Sequence, residues 1–206
     1  GCLRYNLLNM ASRADIITLP NKQLRTRSKR VKIITKDIKQ LVKDMQEATI
    51  DWEKSRDYEV GVALAAIQIN QPFRVVIVRS NLENKKDETF EVLINPEIVK
   101  FEGEPQEDFE GCLSVRDIYG KVKRHPKVKV KAMGLNGRPF RITAEGFLAR
   151  VLQHEIDHNN GKLFIDHIKD QPDRFFKLDK DGKLQKLDYK KEVKNNKSLW
   201  GDDAKA

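Results

Sequence analysis

The sequence predicts an α+β fold, because helical and strand patterns are segregated along the chain instead of alternating. An amphipathic helix comes first, several β-branched or alternating segments follow, and a second helix comes late. The length of 206 residues suits one domain with a short appended tail. Hydrophobic residues make up 39% and charged residues 34% of the chain, a mixture that can bury a core and is not wholly disordered.

The first predicted element is a helix from Thr35 to about Arg56. Thr35 suits its N-cap, because a threonine hydroxyl can accept a hydrogen bond from a backbone N–H of the first turn. Apolar residues recur three or four positions apart, which places them on one face that packs against a core: Ile38, Leu41, Val42, Met45, Ala48 and Trp52.

Strand patterns occupy the middle of the chain. Residues 73–78 are β-branched and apolar, which predicts a buried strand, and residues 90–99 predict another that is broken near a proline. Residues 127–131 alternate between lysine and valine, so one face of that strand is expected in water. Asn136-Gly137 is typical of a hairpin turn, and Pro139 to Thr143 is the return strand.

The second helix is predicted from Phe147 to about His158, where apolar residues again recur at helical spacing. Gly161 is a stop signal after it, and residues 163–165 are apolar enough for a short strand. The chain therefore divides into an N-terminal extension, a main domain and a polar, basic tail that is partly packed: residues 1–13, 14–170 and 171–206.

Charge and cysteine content limit the possible classes of protein. The chain has 40 basic and 31 acidic residues, and its net charge of +9 would attract polyanions. Mean hydropathy is −0.64 and no apolar run approaches the about 18–20 residues of a membrane span, so we expect no membrane partner. Cys2 and Cys112 are too few for a disulfide scaffold.

Residues 1–9 are interpreted as a targeting remnant or an addition from cloning. The expected location is the cytoplasm or, if these residues are a targeting remnant, an organelle matrix.

The pentapeptide His154-Glu155-Ile156-Asp157-His158 carries the strongest chemical signal. Two histidines four residues apart project from one helix face, so their imidazoles can converge on one cation. Glu155 lies close enough to act on water at that cation. The alternative is a polar helix face that has this pattern by chance.

A catalytic metal site usually has three protein ligands and leaves one position for water. His167 lies beyond the predicted end of the helix, so it is poorly placed to be the third ligand. Upstream, Cys112 follows Gly111, a residue that permits a tight turn or a close approach of the backbone. A free cysteine is otherwise most often a small buried hydrophobic residue, and that alternative stays open.

The segment from Gly61 to Gln68 is small, apolar and ends in an amide. Small residues permit a ligand or a helix to approach the backbone closely. The Gln68 side chain can satisfy a hydrogen bond in the core, or it can donate to negative charge that develops on a carbonyl oxygen during a reaction.

Together these segments resemble the three motifs of peptide deformylases. Gly61 to Gln68, Glu110 to Ser114 and Gln153 to His158 follow in the order and spacing of that family, and the similarity extends over about residues 14–168. Ala63 departs from the family, which usually has a second glycine there, and this affects the fit of the substrate backbone. The resemblance implies antiparallel sheets packed around a central metal-binding helix, with the first segment as a strand facing the site.

The resemblance also implies a hydrolase that removes formate from the N-formyl-methionine of new polypeptides. Cys112, His154 and His158 are then expected to hold one divalent metal ion. The family implies iron(II) as the native ion, and zinc, nickel or cobalt can replace it in such a donor set. Glu155 is expected to take the proton of the attacking water and to hand it to the departing amine.

Further residues are assigned on the same resemblance. Gln68 and the backbone N–H of Leu113 are expected to stabilise the tetrahedral oxyanion. Val151 and Phe147 lie one and two turns before His154 and are candidates for the wall of a methionine slot, with ordinary core packing as the alternative. The full set of expected substrate contacts is Gly61, Val62, Ala63, Phe147 and Val151.

We also expect an ion pair between Glu110 and Arg124 that steadies the Cys112 segment.

The expected partners are N-formyl-methionine nascent peptides and, through the basic tail, the ribosome. The protein itself is expected to be a monomer. If the tail is helical, five lysines form a stripe that can dock on RNA, although a solvated face is the alternative: Lys183, Lys186, Lys190, Lys194 and Lys197. Two other classes stay open, a metallopeptidase built on the same helix and a basic RNA-binding module with a structural metal.

Overall fold

The computed structural model describes residues 10–56, 59–82, 84 and 86–201. The interpretation of residues 1–9 falls outside the described residues, as does the end of the tail. In chain order the helices and strands are α1 (Lys36–Glu53), β1 (Ala63–Ala65), β2 (Val75–Arg79), β3 (Phe90–Glu102), β4 (Gln106–Cys112), β5 (Val115–Arg124), β6 (Lys127–Met133), β7 (Pro139–Glu145), α2 (Gly146–Asn159), β8 (Phe175–Leu178), β9 (Leu184–Lys186) and α3 (Lys197–Trp200).

Over these residues the strands form two antiparallel sheets, so the predicted α+β class is confirmed. The first sheet has the order β1-β2-β3-β6-β7 and the second has the order β4-β5-β8-β9. Helix α1 packs its apolar face on the first sheet, and the Thr35 hydroxyl caps it by accepting a hydrogen bond from the Ile38 N–H at 3.4 Å. No helix among the described residues is long and apolar enough to span a membrane.

Helix α2 is the central helix that the sequence predicts. All of its residues from Ala149 to Ile156 are buried, as are His158 and Asn159. Its end is fixed by Gly161, which has φ +74°, and a Cβ at this position would lie 2.6 Å from the carbonyl oxygen of Arg25. A glycine is therefore required both for the left-handed turn and for the close approach of the N-terminal segment.

Two predicted strands are wrong in type or extent. Residues 164–167 form a short 3₁₀ helix instead of a strand, because the Asp166 carboxylate accepts a hydrogen bond from the Leu163 N–H at 2.8 Å and closes a turn. The segment from Gly61 to Gln68 is a strand only over β1. Its end turns into a 3₁₀ helix, in which the Gln68 Oε1 accepts a hydrogen bond from the Ala65 N–H at 2.8 Å.

Strand β3 continues through the predicted break. Its register with β6 shifts between Ile94 and Glu97, and Asn95 adopts a positive φ of 54°. The Asn95 side chain is held on both sides, because it accepts from the Val31 N–H and donates to the Val31 carbonyl, each at 2.8 Å. The irregularity is therefore absorbed within the strand as a bulge.

The tail packs on the second sheet. Strand β8 pairs with β5, and a cluster around Val122 and Phe164 includes apolar residues from the tail: Phe175, Leu187, Val193, Leu199 and Trp200. The condition for a lysine stripe, a helical tail, is not met, because Lys183 lies in the connection between β8 and β9 and Lys186 lies in β9. The rest of the tail is divided between a π-helical segment over residues 189–194 and the one-turn helix α3.

Candidate metal centre

The structure brings together the three side chains that were predicted from the sequence to be metal ligands. Cys112 ends β4, whereas His154 and His158 lie one turn apart on α2. One ligand atom from each residue lies within 4.8 Å of the others, and the Cys112 Sγ is 3.3 Å from the His158 Nε2. A thiol and two imidazoles are donors that suit divalent transition metals and zinc.

Local backbone geometry places Cys112 at this point. The register between β4 and β5 shifts after Glu110, so the β4–β5 turn closes tightly with Cys112 opposite Val115. Gly111 makes the approach possible, since a Cβ there would lie 2.7 Å from the Tyr119 ring. The cysteine is half-buried, and both Cys112 and His154 line one cavity.

Glu110 orients the first histidine of the pair. Its Oε2 lies 3.0 Å from the His154 Nδ1, which leaves the His154 Nε2 available to a cation. The Arg124 Nε donates to the Glu110 Oε1 at 2.9 Å, so the expected contact between Glu110 and Arg124 is present. Burial by itself raises the pKa of Glu110, but hydrogen bonds from His154 and Arg124 outweigh it and hold the pKa well below its usual range.

Arg150 is a functional residue that the sequence analysis missed. It lies on α2 one turn before His154 and is 7% exposed. Its Nη1 donates to the Glu110 Oε1 at 2.9 Å and to the Val122 carbonyl at 2.8 Å, and its Nη2 donates to the Gln106 carbonyl at 2.8 Å. The signal available in the sequence was an arginine within an otherwise apolar helix face, which must be paired if it is buried.

We expect Arg150→Met to lower divalent-metal affinity by about 10–100-fold, because Glu110 loses a donor that fixes its carboxylate against His154. The measurement is a cobalt(II) titration in competition with a chelator. Arg79→Met is the matched control, since Arg79 is equally buried but pairs with Glu53 away from the ligands. The Arg79→Met control should lower the melting temperature without changing metal affinity. If Arg150→Met bound cobalt(II) as tightly as Arg79→Met, Arg150 would have only a structural role.

Two buried groups beside the ligands have no hydrogen-bond partner within the described chain, the Glu155 Oε2 and the His158 Nδ1. Burial raises the pKa of Glu155 to about 7. Burial lowers the pKa of His158, which favours the neutral imidazole that binds metals. An unpaired carboxylate oxygen next to three converging donors fits a site that holds a divalent cation and water.

Comparisons with known proteins agree with this geometry. The model of the polypeptide deformylase family matches residues 13–174. Peptide deformylase 1 of Pseudomonas syringae pv. tomato is 42% identical over 172 residues, which cover 82% of this chain and 96% of that protein. The chain belongs to the polypeptide deformylase family. It is therefore a hydrolase that removes the formyl group from the N-formyl-methionine of nascent polypeptides, and neither a metallopeptidase nor an RNA-binding module describes its class.

Solved structures show the same relationship. A peptide deformylase from Legionella pneumophila is 41% identical with a TM-score of 0.65, and the match covers 74% of this chain and 83% of that one. A peptide deformylase from Synechococcus elongatus in complex with actinonin is 34% identical with a TM-score of 0.68, over 76% of this chain and 80% of that one. The tail beyond residue 174 lies outside the family match.

A cavity of about 280 Å³ opens beside the three candidate metal-ligating side chains of this deformylase. Four of the five expected substrate contacts line it: Val62, Ala63, Phe147 and Val151. Val151 is buried, whereas Phe147 is 54% exposed and stands at the mouth. Gly61 does not line the cavity. Its N–H donates to the Glu53 Oε2 at 3.0 Å, and a Cβ at this position would lie 2.6 Å from the Thr49 Cγ2, so Gly61 permits packing against α1.

The two expected oxyanion donors reach the same cavity. Gln68 is 1% exposed, and its Nε2 lies 3.6 Å from the Cys112 Sγ and 3.1 Å from the Ser114 Oγ. Because the Gln68 Oε1 is occupied by the Ala65 N–H, the donor side of the amide faces the ligands. Leu113 lines the cavity beside Cys112. Ser114, which holds the Gln68 amide, was not singled out from the sequence.

Proposed function

We propose that deformylation by this chain uses one iron(II) ion held by the Cys112 Sγ, the His154 Nε2 and the His158 Nε2. The observation that carries the proposal is the convergence of three donor atoms within 4.8 Å beside a cavity. A divalent ion supplies Lewis acidity, which acidifies water and polarises a carbonyl. The remaining chemistry comes from side chains of the enzyme.

Glu155 is the proposed proton carrier. It is buried beside the ligands, and within the described chain its Oε2 has no competing hydrogen-bond partner. The carboxylate takes a proton from the water that attacks the formyl carbon and hands it to the methionine nitrogen as the C–N bond breaks. Formate and a free amino terminus are the products, so the atoms balance without any further reactant.

Gln68 and Leu113 are the proposed donors to the tetrahedral oxyanion. The Gln68 Nε2 is directed towards Cys112, and Leu113 follows Cys112 at the wall of the cavity. Donors fixed before the reaction stabilise developing charge without reorganisation. Val62, Ala63, Phe147 and Val151 form the proposed contacts of the methionine, and the methyl group of Ala63 narrows the cavity where the family usually has glycine.

The iron proposal predicts different rates of inactivation in air. The iron(II) enzyme should lose activity faster than it loses its fold, because iron(II) and the half-buried Cys112 thiolate are both open to oxidants through the cavity. The nickel(II) enzyme should decay more slowly, because nickel(II) is not readily oxidised in such a donor set. The measurement is formate release from a formyl-methionine peptide over time in air, with circular dichroism on the same samples. Equal decay of the two forms would contradict the iron proposal.

We further propose that the enzyme acts as a monomer and docks on the ribosome through exposed lysines of its tail. Removing the tail by truncation is a poor test of this docking, because the tail residues Phe175 and Trp200 are part of the hydrophobic core. Changing Lys190, Lys191 and Lys194 together to Gln should instead weaken co-sedimentation with ribosomes at low salt, since each lost phosphate contact lowers affinity. Hydrolysis of a short formyl-methionine peptide should stay unchanged. Unchanged co-sedimentation would exclude docking through these lysines.

A further inference from the structure

Tyr119 and Glu59 form a hydrogen-bonded pair at the cavity beside the metal ligands, and both residues line that cavity. Tyr119 belongs to β5, whereas Glu59 lies in the connection between α1 and β1. The Tyr119 hydroxyl donates to the Glu59 Oε1 at 2.5 Å. We propose that Tyr119 is a positioning residue, which holds the two walls of the cavity at the separation that an extended formyl-peptide requires.

The first wall is the segment that leads into β1, the edge strand of the first sheet. Its backbone is anchored from Gly61 onwards, since the Gly61 N–H donates to the Glu53 carboxylate at 3.0 Å and the Arg79 N–H donates to the Val62 carbonyl at 2.8 Å. The hydrogen bond from Tyr119 extends this anchoring to the start of the wall. Four residues of the segment line the cavity: Glu59, Val60, Val62 and Ala63.

The second wall is the turn between β4 and β5, where Gly111, Cys112 and Leu113 line the cavity. The Tyr119 ring lies against this wall, because a Cβ at Gly111 would be 2.7 Å from the Tyr119 Cε1. One side chain therefore packs beside the residue before a metal ligand and reaches across to Glu59 with its hydroxyl. Removing the hydroxyl alone should release the first wall while the ring still supports the second.

Arg56 reinforces the pair from the end of α1. Its Nη1 lies 3.4 Å from the Glu59 Oε2 and 3.4 Å from the Asp117 Oδ1, and its guanidinium lies 5.2 Å from the centre of the Trp52 ring. Burial and the hydrogen bond to Glu59 raise the pKa of Tyr119, so its hydroxyl stays a donor at neutral pH. The contact is thus a hydrogen bond to a charged acceptor that is itself held in place, which is the stronger kind.

The pair lies beyond the proposed methionine contacts along the first wall. Gln68 marks the end of this wall at the metal ligands, and Ala63, Val62 and then Glu59 follow in the direction of the N-terminus. Four residues of extended chain separate Ala63 from Glu59, a span of at most roughly 13 Å. A peptide that has its formyl group at the ligands and follows this wall passes the pair with the residues after its methionine. The inference rests on the substrate contacts proposed above, and it predicts an effect that depends on peptide length.

The test is steady-state kinetics of Tyr119→Phe on formyl-methionine amide and on a formyl-methionine peptide of four residues. KM for the longer peptide should rise by about three- to tenfold, a part of what a hydrogen bond to a charged group contributes. Its kcat, the KM for the amide and the affinity for cobalt(II) should stay nearly unchanged. Glu59→Gln keeps an oxygen that accepts from the hydroxyl, so it should raise KM less than Tyr119→Phe does.

The matched control is Tyr189→Phe. The Tyr189 hydroxyl also makes a hydrogen bond of 2.5 Å, to the Lys169 carbonyl, but it lies in the tail and does not line the cavity. This variant should leave KM unchanged for both substrates. An equal rise in KM in the two tyrosine variants would overturn the proposal, because it would reflect a general loss of stability.

Phe147→Ala separates the proposal from the substrate contacts on which it rests. Phe147 is 54% exposed at the mouth of the cavity, so its loss should raise KM for both substrates without unfolding the protein. A rise with Phe147→Ala but none with Tyr119→Phe would overturn the role of Tyr119 alone. No rise in either variant would overturn the substrate contacts as well. Weaker cobalt(II) binding in Tyr119→Phe would show that Tyr119 supports the metal ligands instead of the peptide.

Discussion

Glu155→Gln should leave the divalent metal bound and reduce kcat for deformylation by about 10²–10⁴-fold, the usual contribution of a positioned general acid–base. Glutamine has nearly the same shape, so the packing of this buried side chain on α2 is kept. It cannot accept and release a proton, and it therefore removes the proposed transfer from water to the methionine nitrogen. The measurements are steady-state kinetics on a formyl-methionine peptide and metal content of the same preparation.

Two measurements distinguish a role of Glu155 in proton transfer from a purely structural role. KM should change much less than kcat, because Glu155 contributes to a proton transfer and less to ground-state binding. Metal content should stay at the level of the unaltered enzyme, since the ligand atoms belong to Cys112, His154 and His158. Loss of metal in parallel with activity would show that Glu155 holds the site together instead of moving a proton.

Cys112→Ser should lower divalent-metal affinity by more than the roughly 10–100-fold that follows loss of an outer hydrogen-bond partner, because it removes a donor atom itself. Activity should fall with metal occupancy. A serine hydroxyl is a weak, protonated donor near neutral pH, whereas a cysteine at a metal is deprotonated and binds strongly. Cobalt(II) titration with and without competing chelator measures the loss, and the absorption band of a thiolate–cobalt bond should disappear.

The matched control for this change is Ser114→Ala. Ser114 is buried two residues away and holds the Gln68 amide, so its loss should reduce kcat while metal affinity stays unchanged. If Cys112→Ser bound metal as tightly as the unaltered enzyme, Cys112 would be only a small buried residue. The alternative that the sequence left open would then be the correct one.

Both long helices were predictable, because each carries a local signal. Apolar residues at helical spacing indicated the buried face of α1, and Thr35 caps it as predicted. The hairpin of β6 and β7 followed from alternation and from the Asn136-Gly137 turn. Strands β4 and β5 were missed. Three of the seven residues of β4 are acidic, and its buried side chain is Glu110, a residue that no hydrophobic pattern indicates.

The lysine stripe, which depended on a helical tail, is absent from the described residues for a related reason. The tail lysines repeat at spacings that fit a helix, but the few apolar residues of the tail decide its path. Phe175 and Phe176 pair with β5 and place the tail on the second sheet, and Trp200 is anchored by donating its Nε1–H to the Val193 carbonyl at 2.7 Å. Burial of these side chains outweighs the local helical spacing, because burying a large aromatic residue contributes about 1.5–3 kcal/mol.

The sequence by itself determined the family, the α+β class and the candidate ligands, since these depend on local spacing and on short motifs. Two histidines four residues apart on a helix share a face in any fold that forms the helix. Only the tertiary structure decided which side chains fix the orientation of the histidine ligands. Glu110 meets His154, and Arg150 meets both Glu110 and the β5 backbone, through contacts that span 28–44 residues of chain. Such contacts follow from the packing of β4 and β5 against α2, which no short segment of the sequence encodes.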